Sequence, residues 1–252
     1  MTSPKKFLTA EWRKLILANY SVDPVILSSY LPAGTEIDSW NGKCYVSLVG
    51  FMFLNTKVLG IRIPFHSNFP EVNLRFYVRH KKNGEWKRGV VFIQEIVPKP
   101  ALAFVANKIY KEHYLSLPMK NNWRINNNEI NIRYDWKARN WNSLEVKAKP
   151  GSQIIESGSE AEFITEHYWG YTAISKMKTG EYQVEHPKWQ IYSVTDYKVD
   201  CDFGSLYGTN FSSLESQKPG SIFLVEDRLF PYLRKKSLKL IKNLFCPGMK
   251  SC

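Results

Sequence analysis

The sequence predicts an α+β domain made mainly of antiparallel sheet, strongly curled or closed into a β-barrel and covered by two or three helices. Three observations carry this. Segments rich in Val, Ile, Phe and Tyr alternate with polar residues along much of the chain. Turn pairs such as Asn41-Gly42 and Asn83-Gly84 separate them. Few runs change to helical spacing, and a sheet of many strands protects its edges best by closing.

With 252 residues, 44% hydrophobic and 14% aromatic, the chain can bury a sizeable core, and residues 1–231 are expected to form one domain. No apolar run has the length of a membrane span. The N-terminus carries Lys5 and Lys6 without the apolar stretch of a secretion signal, so a soluble, cytoplasmic protein is expected.

The elements follow in order. Residues 10–20 suit a short amphipathic helix or a strand. Asp23 as N-cap with Pro24 at the first helical position predicts a helix that Pro32 and Gly34 stop. The Asn41-Gly42 turn leads into a strand through YVSLVGFMF. Asn83-Gly84, a pair that tolerates the positive φ of a type I′ turn, predicts a hairpin between FPEVNLRFYV and RGVVFIQE. Leu102, Val105, Ile109 and His113 recur at helical spacing between Pro100 and Pro118. NEINIRYDWKA and SLEVKAKPG read as strands. Ser159 and Glu162 form a capping box ahead of a helix-like SEAEFITEHYWGYTAI. KTGEYQVEHPKWQIYSVTDYKVDCDF alternates around a turn expected at Thr179-Gly180, and GSIFLVED reads as a last buried strand. In the basic tail, residues 232–252, Leu238, Ile241 and Phe245 fall at helical spacing, predicting a helix that docks on the domain or touches an anionic membrane peripherally.

The hairpin raises the functional question. Its alternation puts Val72, Leu74, Phe76 and Val78 on one side and Asn73, Arg75 and Tyr77 on the other. Pairing outward from the turn adds Phe92 and Gln94 to the polar side, and one bulge would substitute Glu95 for Gln94. If the helix of residues 100–113 covers the apolar side, Arg75 points into a pocket, where its planar fork suits a carboxylate. An enclosed arginine needs a partner, and Glu95 and Glu166 are the candidates.

Four cysteines and five histidines are dispersed without metal-ligand spacing, so neither a metal site nor a cofactor is expected. The excess of 35 Lys and Arg over 23 Asp and Glu attracts anions. Much of it sits in loops and termini, and no nucleic-acid motif accompanies it, so no specific nucleic-acid partner is expected.

The segments LPAG (31–34), FPEVNLRFYV (69–78), RGVVFIQE (88–95), FITEHYWGY (163–171), HPKW (186–189) and PGSIFLVED (219–227) resemble the YqjF-like family of uncharacterised conserved bacterial proteins, over about Tyr20 to Asp227. That family looks distantly related to acetoacetate decarboxylase. The resemblance implies a curled β-barrel enclosing a pocket for a small organic acid or carbonyl compound. Acetoacetate decarboxylase forms a Schiff base on one of two adjacent lysines. The corresponding region here is EHYLS (112–116), flanked by the isolated Lys111 and Lys120, so paired-lysine chemistry is not expected. The resulting expectation is a pocket that binds or transforms a small anionic metabolite. Arg75, Asn73, Tyr77, Gln94, Tyr110, Tyr114, Glu166, Tyr168 and His186 are its candidate binding residues. His113 and Glu95 are the candidate acid–base groups. The competing expectation is an interaction protein whose basic surface meets nucleic acid or anionic membrane.

Overall fold

The protein is described by a computed structural model over residues 8–227 and 239–245. Most of the chain is sheet. Strands β1 (Leu8–Val22), β2 (Glu36–Ile37), β3 (Cys44–Val58), β4 (Phe69–Lys82) and β5 (Glu85–Val97) come first; α1 (Pro100–Tyr110) follows. Then come β6 (Tyr114–Ser116), β7 (Met119–Ile125), β8 (Ile130–Lys137), β9 (Trp141–Ile154) and the one-turn α2 (Glu160–Thr165). The chain continues through β10 (Trp169–Ser175), β11 (Lys178–Glu185), β12 (Trp189–Asp200), α3 (Phe203–Tyr207), β13 (Ser221–Asp227) and β14 (Lys239–Phe245). Two 3-10 helices, Pro24–Tyr30 and Thr209–Glu215, complete the set among the described residues.

The strands form one hydrogen-bonded path, β14-β11-β10-β5-β4-β3-β1-β13-β12-β9-β8-β7, with β2 added beside β4 and β6 beside β5. Pairing is antiparallel except where β10 and β6 run parallel to β5. Local signals set several joints. The Asp23 carboxylate accepts from Val25 N–H at 2.8 Å and starts the first 3-10 helix. Asn83 and Gly84 adopt φ of 52° and 85°, closing the β4–β5 hairpin with Lys82 opposite Glu85. Ser159 accepts from Glu162 N–H at 3.2 Å to start α2, while Glu162 accepts from Gly158 N–H at 2.7 Å.

Residues 10–20 take the strand alternative, within β1. Several expectations need correction. Helix α1 stops at Tyr110, where Lys111 takes a left-handed conformation, φ 56°, and its N–H bonds back to Ala106; the chain then pairs with β5 as β6. The helix expected through 159–174 ends at Thr165, because Trp169–Ser175 is claimed by pairing with β5 and β11. Gly170 permits that contact: a Cβ there would lie 2.1 Å from the Tyr182 ring. Thr179-Gly180 lies within β11, and the turn falls at Lys176–Met177. The tail is not helical at Lys239–Phe245. The edge of β11 offers unpaired backbone groups there, and the segment takes them as a strand from Lys239 opposite Glu185 to Phe245 opposite Thr179. Residues 228–238 and 246–252 lie outside the described residues.

Both faces of the central strands are buried. On one face, Val72, Leu74, Phe76 and Val78 pack with Ile132, Tyr134 and Trp136 of β8 and with Leu144 and Val146 of β9. Phe203, Tyr207, Phe211 and Leu214, from α3 and the following 3-10 helix, join that core. The approach is close, for a Cβ on Gly50 would come within 2.9 Å of Tyr134. So β8 and β9, with α3, cover the apolar face that α1 was expected to cover; α1 lies over the other one.

Candidate binding site

The opposite face of β4 lines a cavity of about 470 Å³. The sheet register puts its side chains in rows. Leu17, Val49, Asn73, Glu95 and Tyr114 follow one another across β1, β3, β4, β5 and β6. The next row carries Asn19, Ser47, Arg75 and Phe92. A bulge in β5 opposite Leu74 and Arg75 creates this arrangement: Leu74 faces Gln94, while Asn73 faces Glu95. Glu95 and not Gln94 therefore reaches the cavity. The Gln94 amide turns away to donate to the His113 carbonyl.

Most of the wall is apolar, from Leu15, Leu17, Val49, Phe51, Phe69, Val90 and Val225 together with Ala101, Leu102 and Val105 of α1. Into it project Arg75, Asn73, Glu71, Glu95, Glu112, Tyr114, His167 and His186. No lysine lines it among the described residues. Asn73 donates to Glu71 Oε1 at 2.9 Å, and the Tyr114 hydroxyl donates to Glu71 Oε2 at 3.3 Å. Burial is the main influence on Glu71 and pushes its carboxyl up to about 7, against those two hydrogen bonds and the nearby Arg75 charge. Burial also drives the Tyr114 phenol well above its ordinary value.

Among the described residues, Arg75 is the one Lys or Arg side chain that lines the cavity. Its guanidinium carbon lies 5.7 Å from the centre of the Tyr77 ring. Its Nε is buried without a hydrogen-bond partner, and it makes no ion pair among the described residues. Tyr77 sits under it, outside the cavity wall. The Tyr77 hydroxyl donates to Ser47 Oγ at 2.6 Å, Ser47 to Asn19 Oδ1 at 2.6 Å, and Asn19 to Ser221 Oγ at 3.0 Å. This buried relay fixes the platform on which the guanidinium rests.

Two histidines flank the site. His167 Nε2 lies 3.2 Å from Asp38 Oδ2, which Arg88 Nε approaches at 2.6 Å. Burial disfavours the Asp38 charge, but hydrogen bonds from His167 and Arg88 outweigh it and hold the carboxyl below its usual range. Burial brings His167 down to about 4, so it is neutral at pH 7 with Nε2–H donating and Nδ1 unpartnered. His186 is also pushed down to about 4 by burial, stacks on Tyr168 at 4.6 Å and lies 5.1 Å from the Trp189 ring. The Tyr168 hydroxyl donates to Glu166, and neither residue lines the cavity.

The structure therefore gathers Arg75, Asn73, Glu95, Tyr114 and His186 around one cavity, with Tyr77 directly beneath. Gln94, Glu166 and Tyr168 stand off its wall. His113 is exposed at the turn before β6 and contributes only its carbonyl, accepting from Glu95 N–H at 2.9 Å; it does not line the cavity. The Tyr110 side chain lies outside the described residues. Glu71, Glu112, His167 and Trp12 were not among the residues expected here. Glu71 continues the 71, 73, 75, 77 alternation and was readable from it. His167 stands in the quoted FITEHYWGY, but only contact with Asp38 from a distant loop gives it a role. Among the described residues no three His, Cys, Asp or Glu side chains cluster as metal ligands.

Residues 9–227 match the model of the DUF2071 family, described as an uncharacterized conserved protein, and the chain belongs to that family. Among curated relatives, the uncharacterized protein YqjF of Bacillus subtilis is 27% identical over 159 residues, 63% of this chain; the match spans 62% of YqjF's own length. In fold the chain is similar to acetoacetate decarboxylase from Legionella pneumophila, with a TM-score of 0.59, 11% identity and coverage of 97% and 88% of the two chains. It is similar too to the enduracididine biosynthesis enzyme MppR complexed with pyruvate, with a TM-score of 0.57, 9% identity and coverage of 97% and 90%.

Proposed function

We propose that the protein binds a small carboxylate-bearing molecule in this cavity, its anionic group on Arg75 and its body against the apolar wall. One observation carries the reading: a guanidinium projects into an apolar space with a buried, unpartnered donor and no ion-pair partner among the described residues. A buried guanidinium donor left without an acceptor is costly, and a ligand carboxylate supplies that acceptor with fork geometry. The volume, about 470 Å³, falls in the usual range for small-molecule sites. Pyruvate in MppR shows that a similar fold can hold a small carboxylate.

The reading includes a curled, barrel-like sheet around the ligand. Tyr182 and Val184 of β11 pack with Leu8 and Trp12 of β1, which lie five strand spacings away, ~24 Å if the sheet were flat. No lysine lines the cavity among the described residues, so this reading invokes no Schiff base. Glu71, raised to about 7, is the group placed to exchange a proton with the ligand at neutral pH.

The test is thermal unfolding with pyruvate and a panel of aliphatic and aromatic carboxylates. A true ligand at a hundred times its Kd adds about 2.7 kcal/mol of stability. That gain vanishes in Arg75→Met and grows as pH falls from 8 to 6, because protonated Glu71 no longer repels the anion. A panel without a single stabilising carboxylate, or a gain that survives Arg75→Met, defeats the proposal.

A further inference from the structure

Two segments both line the cavity and stand in solvent. Ile63, from the loop between β3 and β4, and Val105 of α1 are cavity-wall residues that remain substantially exposed, so both lie at its opening. Around them the surface is strongly apolar. Phe65 is 90% exposed, and Leu59, Ile61 and Phe104 are each more than half exposed. Isolated exposed apolar residues are ordinary; six large ones on two segments bordering one opening form a patch that marks an interaction site. The loop is also built to present them. Leu59 and Phe65 take left-handed backbone conformations, φ 50° and 61°, that bulky side chains rarely adopt.

The charge of the same segments identifies the partner. Residues 55–68 and 98–111 carry Lys57, Arg62, Lys99, Lys108 and Lys111 and no Asp or Glu. None of the five forms an ion pair among the described residues. A second copy docking symmetrically would set one basic rim against another. An anionic lipid surface accepts the apolar side chains into its acyl boundary and neutralises the lysines and arginine at its headgroups. We infer that the cavity opening, formed by the 59–65 loop and the exposed side of α1, is a membrane-docking surface selective for anionic lipid. Docked in this way, the cavity opens toward the bilayer, a route for an amphipathic ligand with an apolar body. The docking itself does not rest on the carboxylate reading.

The experiment is co-sedimentation of the full chain with vesicles of phosphatidylcholine alone or mixed with phosphatidylglycerol. Binding is expected only with phosphatidylglycerol, weakening as salt rises. The double variant Ile61→Ser, Phe65→Ser and the charge variant Lys57→Glu, Arg62→Glu should each weaken binding about tenfold with unchanged melting temperature, since all four side chains are exposed. Absence of binding to phosphatidylglycerol vesicles overturns the inference. So does binding that survives both rim variants but is lost in Lys235→Glu, Lys236→Glu, which would assign the contact to the basic tail. So does a wild-type dimer that Ile61→Ser, Phe65→Ser converts to monomer, which would assign the patch to a second copy.

Discussion

The two faces of β4 are excluded from water to a similar degree and do opposite things. Val72, Leu74, Phe76 and Val78 belong to one apolar and aromatic core with residues of β8 and β9 and of the segments around α3. Glu71 and Asn73, 2% and 1% exposed, are as dry, yet the Asn73 side-chain oxygen and Arg75 Nε go without hydrogen-bond partners, as does His167 Nδ1 on the same wall. Each such atom costs about 1–3 kcal/mol, in a domain whose whole stability is of order 5–15 kcal/mol. A fold tolerates that burden around one cavity when something else satisfies those groups. One face of the strand therefore stabilises the protein, and the other holds unmet polar capacity for a ligand.

The sharpest test of the contrast is on the dry face. Phe76→Ala should lose about 3–5 kcal/mol in urea unfolding, the cost of a buried aromatic and the cavity it leaves. Comparable losses on truncating Asn73 would erase the distinction between the faces. The second test has the opposite sign. Glu71 titrates near 7 in the folded protein and near 4.5 unfolded, so the folded state binds the extra proton between those values. Stability from this group therefore falls as pH rises from about 4.5 to 7 and stays low above. His167 and His186, held near 4, give the reverse slope between about 4 and 6.5, so only the difference between variant and parent isolates Glu71. Glu71→Gln should stabilise the protein by roughly 1–3 kcal/mol at pH 8 and by almost nothing at pH 4. A variant less stable than its parent at pH 8 would mean that the charged carboxylate holds the fold together.

The contrast was partly visible in the sequence. Period-two alternation assigned Val72 to Val78 and Asn73 to Tyr77 to opposite faces, and the Asn83-Gly84 turn fixed Tyr77 opposite Val90 and Arg75 opposite Phe92, as observed. Local chemistry also announced the caps at Asp23 and Ser159. What local sequence could not decide was settled by distant pairing. Alternation left open whether a bulge exchanges Gln94 for Glu95; the β4–β5 register contains it, with Glu95 beside Tyr114 of β6. The helix-like run that follows the Ser159 cap and the helically spaced tail are captured by open strand edges at Trp169–Ser175 and Lys239–Phe245. Which face received α1 and which received β8 and β9 depended on how the sheet packs on itself, a matter on which alternation is silent.

The smallest expected effect concerns Arg75 itself. Removing one member of a buried ion pair costs about 3–5 kcal/mol because the other charge is stranded. Arg75 has no ion-pair partner among the described residues, so Arg75→Met strands no bonded carboxylate, fills similar volume and removes a desolvated donor. Against this stands the lost attraction to Glu71, whose carboxyl Arg75 helps keep from rising further. Near pH 6, where Glu71 is mostly protonated, that loss is slight. Arg75→Met should then shift unfolding free energy by less than about 1 kcal/mol, and the pH at which Glu71 titrates should move upward. A loss of 3 kcal/mol or more at pH 6 would show that the guanidinium braces the fold, and the polar face would then be structural, as its apolar counterpart is.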